Sequence, residues 1–330
     1  MTENQNVAVD LLIIGAGPTG LYSAYYAGFR GMTVAVIESL PELGGQITAM
    51  YPEKMIFDVA GFPTIKGQHL VDGLVAQAAA AKPRYLLQER AEELHADDEQ
   101  VTVTTHTGRT VTARAVIIAG GIGTFSPRPL PGAEPYEGRG LRYFVPRLDE
   151  LRDHDVLIVG GGDSAVDWAL ALEGIAKSLT LIHRRTAFRA HEGSVERLMS
   201  SSVRVLTPYR PGEIHGDPQT GRISAVTVSH ADSGEAETLE VTSVVAALGF
   251  LADLGPITRW GLELDKRHIV VDSAMRTSVP RVFAAGDINS YPGKVRLISV
   301  ALGEAATAVN NAAVVVNPDA KVFPGHSSAG

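Results

Sequence analysis

Two short glycine-rich segments, GAGPTG at 15–20 and GGGDSA at 160–165, most tightly constrain what this chain can become. The first follows the apolar run Val7 to Ile14 and the second follows Asp155 to Val159; each opens a stretch of helical character. A strand that turns sharply into a helix and returns as a second strand is a βαβ unit, and parallel strands joined this way belong in a covered sheet. The sequence therefore predicts an α/β fold with two Rossmann-like, dinucleotide-type units.

In the first unit a helix is expected over Leu21 to Arg30, ended by Gly31 at its C′ position, and a strand over Thr33 to Glu38. In the second, a helix over Val166 to Glu173 leads to a strand from Ser178. Alternating polar and apolar residues in Val101 to Thr105 and Thr110 to Ala119 flank the turn THTGR and predict an antiparallel meander, and a similar pattern surrounds Gly234. Breaks fall at the Pro- and Gly-rich crossover after Gly121 and again near Phe250. These place one discontinuous domain at 1–121 and 250–330, with the other, 122–249, inserted in it.

The first loop has the spacing of a pyrophosphate cradle. Gly15 permits a tight turn, Gly17 lets the backbone approach the ligand, Gly20 allows close helix packing, and the helix N-terminus offers free N–H groups to an anion. Glu38, at the end of the next strand, suits an adenosine ribose and repels a 2′-phosphate. The second loop has Gly160, Gly162 and Ala165 at the three positions, with Asp163 and Ser164 between them. Its second strand ends in His183, Arg184 and Arg185, followed by Arg189, so no acid stands there. Guanidinium groups match a 2′-phosphate, which selects NADP over NAD. A glycine turn without ligand and a solvated basic loop are the plainer alternatives. An acid-type site and an arginine-type site in one chain point to resident FAD in the first and visiting NADPH in the second.

Composition narrows the chemistry. With 330 residues the chain has room for about two domains at roughly 150 residues each. It contains no cysteine, which removes disulfides, thiolate metal sites and cysteine-ligated iron–sulfur clusters, so redox work falls to a bound cofactor. A net charge of -8 argues against nucleic-acid binding. The polar N-terminus has no basic n-region, and no apolar stretch is expected to reach the roughly 20 residues that span a bilayer. The expected location is cytoplasmic, without a membrane partner.

The chain closely resembles the thioredoxin-reductase-like flavoproteins over nearly its whole length. GAGPTG, GGQ at 44–46, GGGDSA, HRR with FRA at 188–190, and VFAAGD at 282–287 stand in that family's order. Where thioredoxin reductases carry CxxC, this chain has Tyr143 to Arg147 (YFVPR), so disulfide reduction is lost. MYPEK near residue 51 and the tail FPGHSS make it similar to the ferredoxin–NADP reductases of the thioredoxin reductase type. That resemblance implies FAD contacts from Thr19, Glu38, Gln46, Tyr51, Ala91, Phe125, Asp287 and Ser327. It also implies a homodimer whose C-terminal tail brings His326 to the flavin face opposite Tyr51. Asp287 suits a ribityl or ribose partner on its own chemistry and equally suits a helix N-cap. Tyr51 can stack on the flavin or sit half-buried at the surface.

The expected reaction couples hydride from NADPH to one-electron delivery to ferredoxin, with flavodoxin as a substitute carrier. Hydride transfer needs nicotinamide and flavin placed about 3–3.5 Å apart and no acid–base residue, so Tyr51 and His326 act as stacking gates. A helix from about Leu297 to Asn310 turns its positive end toward the reduced flavin. Arg139, Arg142, Arg147 and Arg152 are candidates for a face that docks an acidic ferredoxin. The alternatives are an NADPH oxidase or flavin or quinone reductase, and a non-catalytic FAD/NADP redox sensor.

Overall fold

Runs of consecutive buried residues mark the centre of the first sheet: Leu11 to Ile14, Val34 to Ile37 and Ala115 to Ile118 are all buried. Apolar side chains on both faces require a parallel strand covered on both sides. The computed structural model describes residues 6–325 and shows this arrangement, with strands Asn6–Ile14, Val34–Ile37 and Arg84–Leu86 parallel to one another. On the other side Asn6–Ile14 pairs in parallel with Thr110–Ile118. That long strand takes two partners along its free edge. Its first half pairs antiparallel with Val101–Thr105, which continues to Ala91–Ala96, and its second half pairs in parallel with Val282–Ala284. The chain thus comes back to the sheet late, after the whole second unit.

The chain forms two compact units, one comprising residues up to Ala49, Met55–Thr124 and Ala252 onward, the other Met50–Lys54 and Phe125–Leu251. In the first, helices Pro18–Phe29, Gly67–Ala79 and Ile298–Val316 pack together. Gly28 is the contact point with Ala81, whose Cβ would lie 2.3 Å from a Cβ on Gly28. The glycine-loop helix ends as expected, with Gly31 at a φ of +71° after the C-cap Arg30.

Two expectations are corrected. Both loop helices begin earlier than their apolar periodicity suggests, at Pro18 and Asp163, because Gly17 and Gly162 serve as N-caps and the loop itself forms the first turn. The last helix runs to Val316 rather than Asn310, and its 19 residues with mean hydropathy 1.3 are long and apolar enough to cross a bilayer by length and composition. Here that helix packs on Pro18–Phe29 and on the sheet strands, with Ala305, Ala308, Val309 and Ala312 fully buried.

The second unit has a five-stranded parallel sheet in the order Leu141–Arg142, Ser243–Ala246, Asp155–Val159, Ser178–Ile182, Arg204–Leu206. Side-chain alternation sorts its two faces. Val156, Ile158, Leu181 and Val245 join Trp168, Ala169 and Leu172 of the Asp163–Leu172 helix in one core. Leu157, Val159, Ile182 and Val244 join Val226 and Val228 in another. The latter two belong to an antiparallel sheet of Tyr209–Asp217, Arg222–His230 and Ala236–Glu240.

Candidate functional site

In the first unit the three glycines of GAGPTG are separated by what stands beside each. Gly15 has a φ of +106°, and a Cβ there would lie 2.5 Å from the Ala119 carbonyl oxygen. Gly20 is pressed against the turn itself, since its Cβ would fall 1.8 Å from the carbonyl oxygen of Gly15. Gly17 has open space where a side chain would go, and it caps the helix with no side-chain hydrogen bond. Uncapped N–H groups at a helix start, beside a position without a side chain, fit a pyrophosphate.

Glu38 is only 6% exposed, and much of its carboxylate is committed to its own chain. Ala16 N donates to Oε2 at 2.7 Å, while Leu40 N and Ser39 Oγ donate to Oε1 at 2.9 and 3.2 Å. The acid therefore ties the glycine loop to the next strand's exit, leaving one lone pair of Oε2 for a ribose hydroxyl.

Other predicted residues gather at the same strand ends. Gly44 N donates to the Ala16 carbonyl at 2.9 Å, and a Cβ on Gly45 would lie 3.0 Å from Gly17 Cα, so GGQ is laid against the loop. Gln46 reaches across to Gly121, whose added Cβ would meet Gln46 Nε2 at 2.9 Å. Thr19 faces Gly286 in the same way, with Oγ1 at 2.7 Å, which brings the neighbouring Asp287 to the first loop. Gly45 and Gly286 stand within the GGQ and VFAAGD motifs and Gly121 at the break after the first sheet, but the sequence assigned none of them a role of its own; their positive φ values mark them as enforced turns. Ala91 is buried at the start of its strand, and Phe125 lies in the strand Thr124–Pro127. His326 and Ser327 lie outside the described residues.

Tyr51 is placed with the second unit, where it packs on the core around Trp168. The segment around it is held there by Leu148 N, which donates to Glu53 Oε2 at 2.7 Å, and by Lys54 Nζ, 2.5 Å from Asp167 Oδ2.

The second loop repeats the first with different partners. A Cβ on Gly160 would lie 2.5 Å from the Ala247 carbonyl oxygen and 2.9 Å from Ala165 Cβ, while Gly162 is open and caps the Asp163–Leu172 helix without a side-chain bond. The basic segment folds back over this loop. Arg189 N donates to the Gly161 carbonyl and His191 N to Asp163 Oδ1, both at 2.8 Å. Asp163, an acid in a place meant for an anion, is thereby used to hold the cationic segment. His183 lies over Gly161, with ring atoms 2.2–2.4 Å from where a Cβ would stand, and stacks on Phe188 at 5.4 Å. Burial, then the nearby Arg184, Arg185 and Arg189, push its pKa below the usual histidine value. Arg184, Arg185, Arg189 and Ser164 are exposed.

The four arginines considered for docking are occupied. Arg147 and Arg152 pair at 2.6 Å with Glu150 and Asp149, Arg142 lies 3.8 Å from Glu150, and Arg139 donates to the Gln219 carbonyl at 2.9 Å. Among the described residues, no group of three or more His, Asp or Glu forms a metal site. At the YFVPR segment, Val145 is fully buried and Tyr143 Oη donates to Glu137 Oε1 at 2.6 Å.

Two glycine loops at the carboxyl ends of parallel strands, one tied by a carboxylate and the other followed by exposed arginines, define a two-dinucleotide oxidoreductase scaffold. A family model described as pyridine nucleotide-disulphide oxidoreductase matches residues 9–305, and the chain belongs to that family, within its ferredoxin–NADP reductases of thioredoxin-reductase-like fold. It is 61% identical over 318 residues to the ferredoxin–NADP reductase of Frankia alni, covering 96% of this chain and 98% of that one. With the ferredoxin–NADP reductase of a Nocardioides species it shares 58% identity over 334 residues, covering both chains completely. Among solved structures, the thioredoxin reductase of Lactococcus lactis is 27% identical with a TM-score of 0.80, over 93% of this chain and 99% of that one.

Proposed function

We propose that this chain is a flavoprotein oxidoreductase that transfers electrons between NADPH and ferredoxin, with flavodoxin as a substitute carrier. FAD is held by residues 1–121 and 250–330, and NADPH visits residues 122–249. One contrast carries this assignment: a carboxylate at the first loop and exposed arginines at the second, in a chain of thioredoxin-reductase-like fold that lacks any cysteine.

Bound FAD supplies what no side chain here does, acceptance of a hydride and release of single electrons. The residues bind and orient. Gly15, Gly17, Gly20 and Thr19 present the helix N-terminus to the pyrophosphate, Glu38 takes a ribose hydroxyl, and Gln46, Ala91, Phe125 and Asp287 line the rest. Gly160, Gly162, Asp163, Ser164 and Ala165 form the NADPH loop, with His183 as its floor and Arg184, Arg185 and Arg189 on the 2′-phosphate. Tyr51 serves as the stacking gate, and His326 and Ser327 reach the flavin of a partner protomer in a cytoplasmic homodimer.

The test is reduction of cytochrome c by NADPH with the yellow purified protein, with and without ferredoxin, across salt concentrations. Ferredoxin-dependent turnover that weakens as salt rises is expected. Turnover with oxygen or quinone alone overturns the carrier assignment, and a colourless protein that takes up no FAD overturns the whole.

A further inference from the structure

Below the Asp287 turn lies a pair of opposite charges almost wholly withdrawn from water. Lys294 and Glu304 have side chains that are each 4% exposed, and their charged ends are in contact. A buried ion pair contributes little net stability, because the cost of desolvation offsets the attraction and an apolar pair fills the same space as well. Its hydrogen bonds show what it does instead. Glu304 Oε2 accepts from Gly286 N at 2.8 Å and Asn289 Nδ2 at 3.0 Å, and Oε1 accepts from Tyr291 Oη at 2.7 Å and from Lys294 Nζ. Those donors use the full acceptor capacity of a carboxylate, and all come from the stretch 286–294.

The Gly286 residue is held from both sides. Its N–H goes to Glu304, and its carbonyl accepts from Lys294 Nζ at 3.0 Å. That carbonyl belongs to the peptide plane leading into Asp287, so fixing it fixes the axis about which Asp287 turns. On a third side stands Thr19, which leaves room only for glycine at 286, at a φ of +85°. Within the otherwise buried run Val282 to Asn289, Asp287 alone is partly exposed. Burial and the Glu304 hydrogen bond push the Tyr291 hydroxyl up to about 12, so it remains a donor throughout the neutral range.

We propose that the Lys294–Glu304 pair is a positioning device for Asp287: it locks the preceding peptide so that the Asp287 carboxylate is presented to the flavin cofactor. This rests on the assignment of Asp287 to FAD made above.

The experiment is a double-mutant cycle read as the FAD dissociation constant of apoprotein, from quenching of free FAD fluorescence, with apoprotein melting as a control. Glu304→Gln is expected to weaken FAD binding by about tenfold or more in the wild-type background and by less than about twofold in the Asp287→Ala background, since coupled sites are not additive. Effects that multiply, or affinity unchanged by Glu304→Gln, overturn the proposal. Asp287→Ala with unchanged affinity shows instead that the underlying assignment is wrong and removes the proposal with it. Should Glu304→Gln fail to fold, Tyr291→Phe, which deletes one donor and keeps the ring, carries the same cycle. Its expected effect is about threefold, again absent beside Asp287→Ala, and no effect overturns the proposal.

Discussion

A Cβ on Gly20 would stand 1.8 Å from the carbonyl oxygen of Gly15, whereas one on Gly17 would meet nothing within 4 Å. The two glycines of one loop therefore fail in different ways when replaced. Gly20→Ala forces the helix off its own turn, beyond the roughly 1–3 kcal/mol of ordinary overpacking, and is expected to unfold the first unit. Gly17→Ala should leave apoprotein melting within a degree or two while abolishing FAD uptake. Melting curves and FAD titration of the two variants check this, and equal damage from both would contradict it.

Glu38 holds the loop before any ligand arrives, because Ala16 N and Leu40 N both donate to it. Glu38→Ala leaves those amides without their acceptor at a buried site, a cost of about 1–3 kcal/mol each when no water replaces it. Apoprotein is thus expected to melt at lower temperature, and FAD affinity should fall further still. If Glu38 served the ribose alone, apoprotein melting would not change.

The parts of the fold that short stretches encode were legible in the sequence. Asp155–Val159 has the bounds its apolar run announces, and the meander of Val101–Thr105 with Thr110–Ile118 follows its alternation, because period and turn residues are local. Glu304 and Lys294 were not legible. A charged residue in an apolar helix looks like a solvent face, and only the late return of Val282–Ala284 to the sheet places both beside Gly286. The placement of Tyr51 was hidden for the same reason: Glu53 and Lys54, which hold its segment, find their partners near Leu148 and Asp167. Gly45, Gly121 and Gly286 resemble any loop glycine until the chain packed against each is known.

His183 gives the second unit an acid sensitivity. Its pKa is lowered in the fold, from an ordinary 6.5, by burial and then by the adjacent arginines. The unfolded chain therefore binds a proton that the folded chain refuses, so stability is full above about 6.5 and declines as pH falls below it. Melting of the wild type should fall across that window more steeply than that of His183→Phe, which keeps an aromatic ring over Gly161. Parallel pH profiles would show that the ring's protonation does not matter.

Arg184 and Arg185 are exposed at the end of a parallel strand, beside a loop whose helix start is uncapped. A solvated arginine costs nothing to remove, but one that forks a phosphate removes a charge-assisted hydrogen bond of about 1.5–3 kcal/mol, or roughly ten- to a hundredfold in binding. NADH has no 2′-phosphate, so it supplies the internal control. Arg184→Ala and Arg185→Ala should each raise the NADPH KM by that order while changing NADH kinetics and kcat little. An equal loss with both nucleotides would mean that the substitution has disturbed the loop rather than the phosphate. Unchanged kinetics with both would return these arginines to solvent and leave Arg189, whose backbone amide anchors the segment to Gly161, as the remaining candidate for the phosphate.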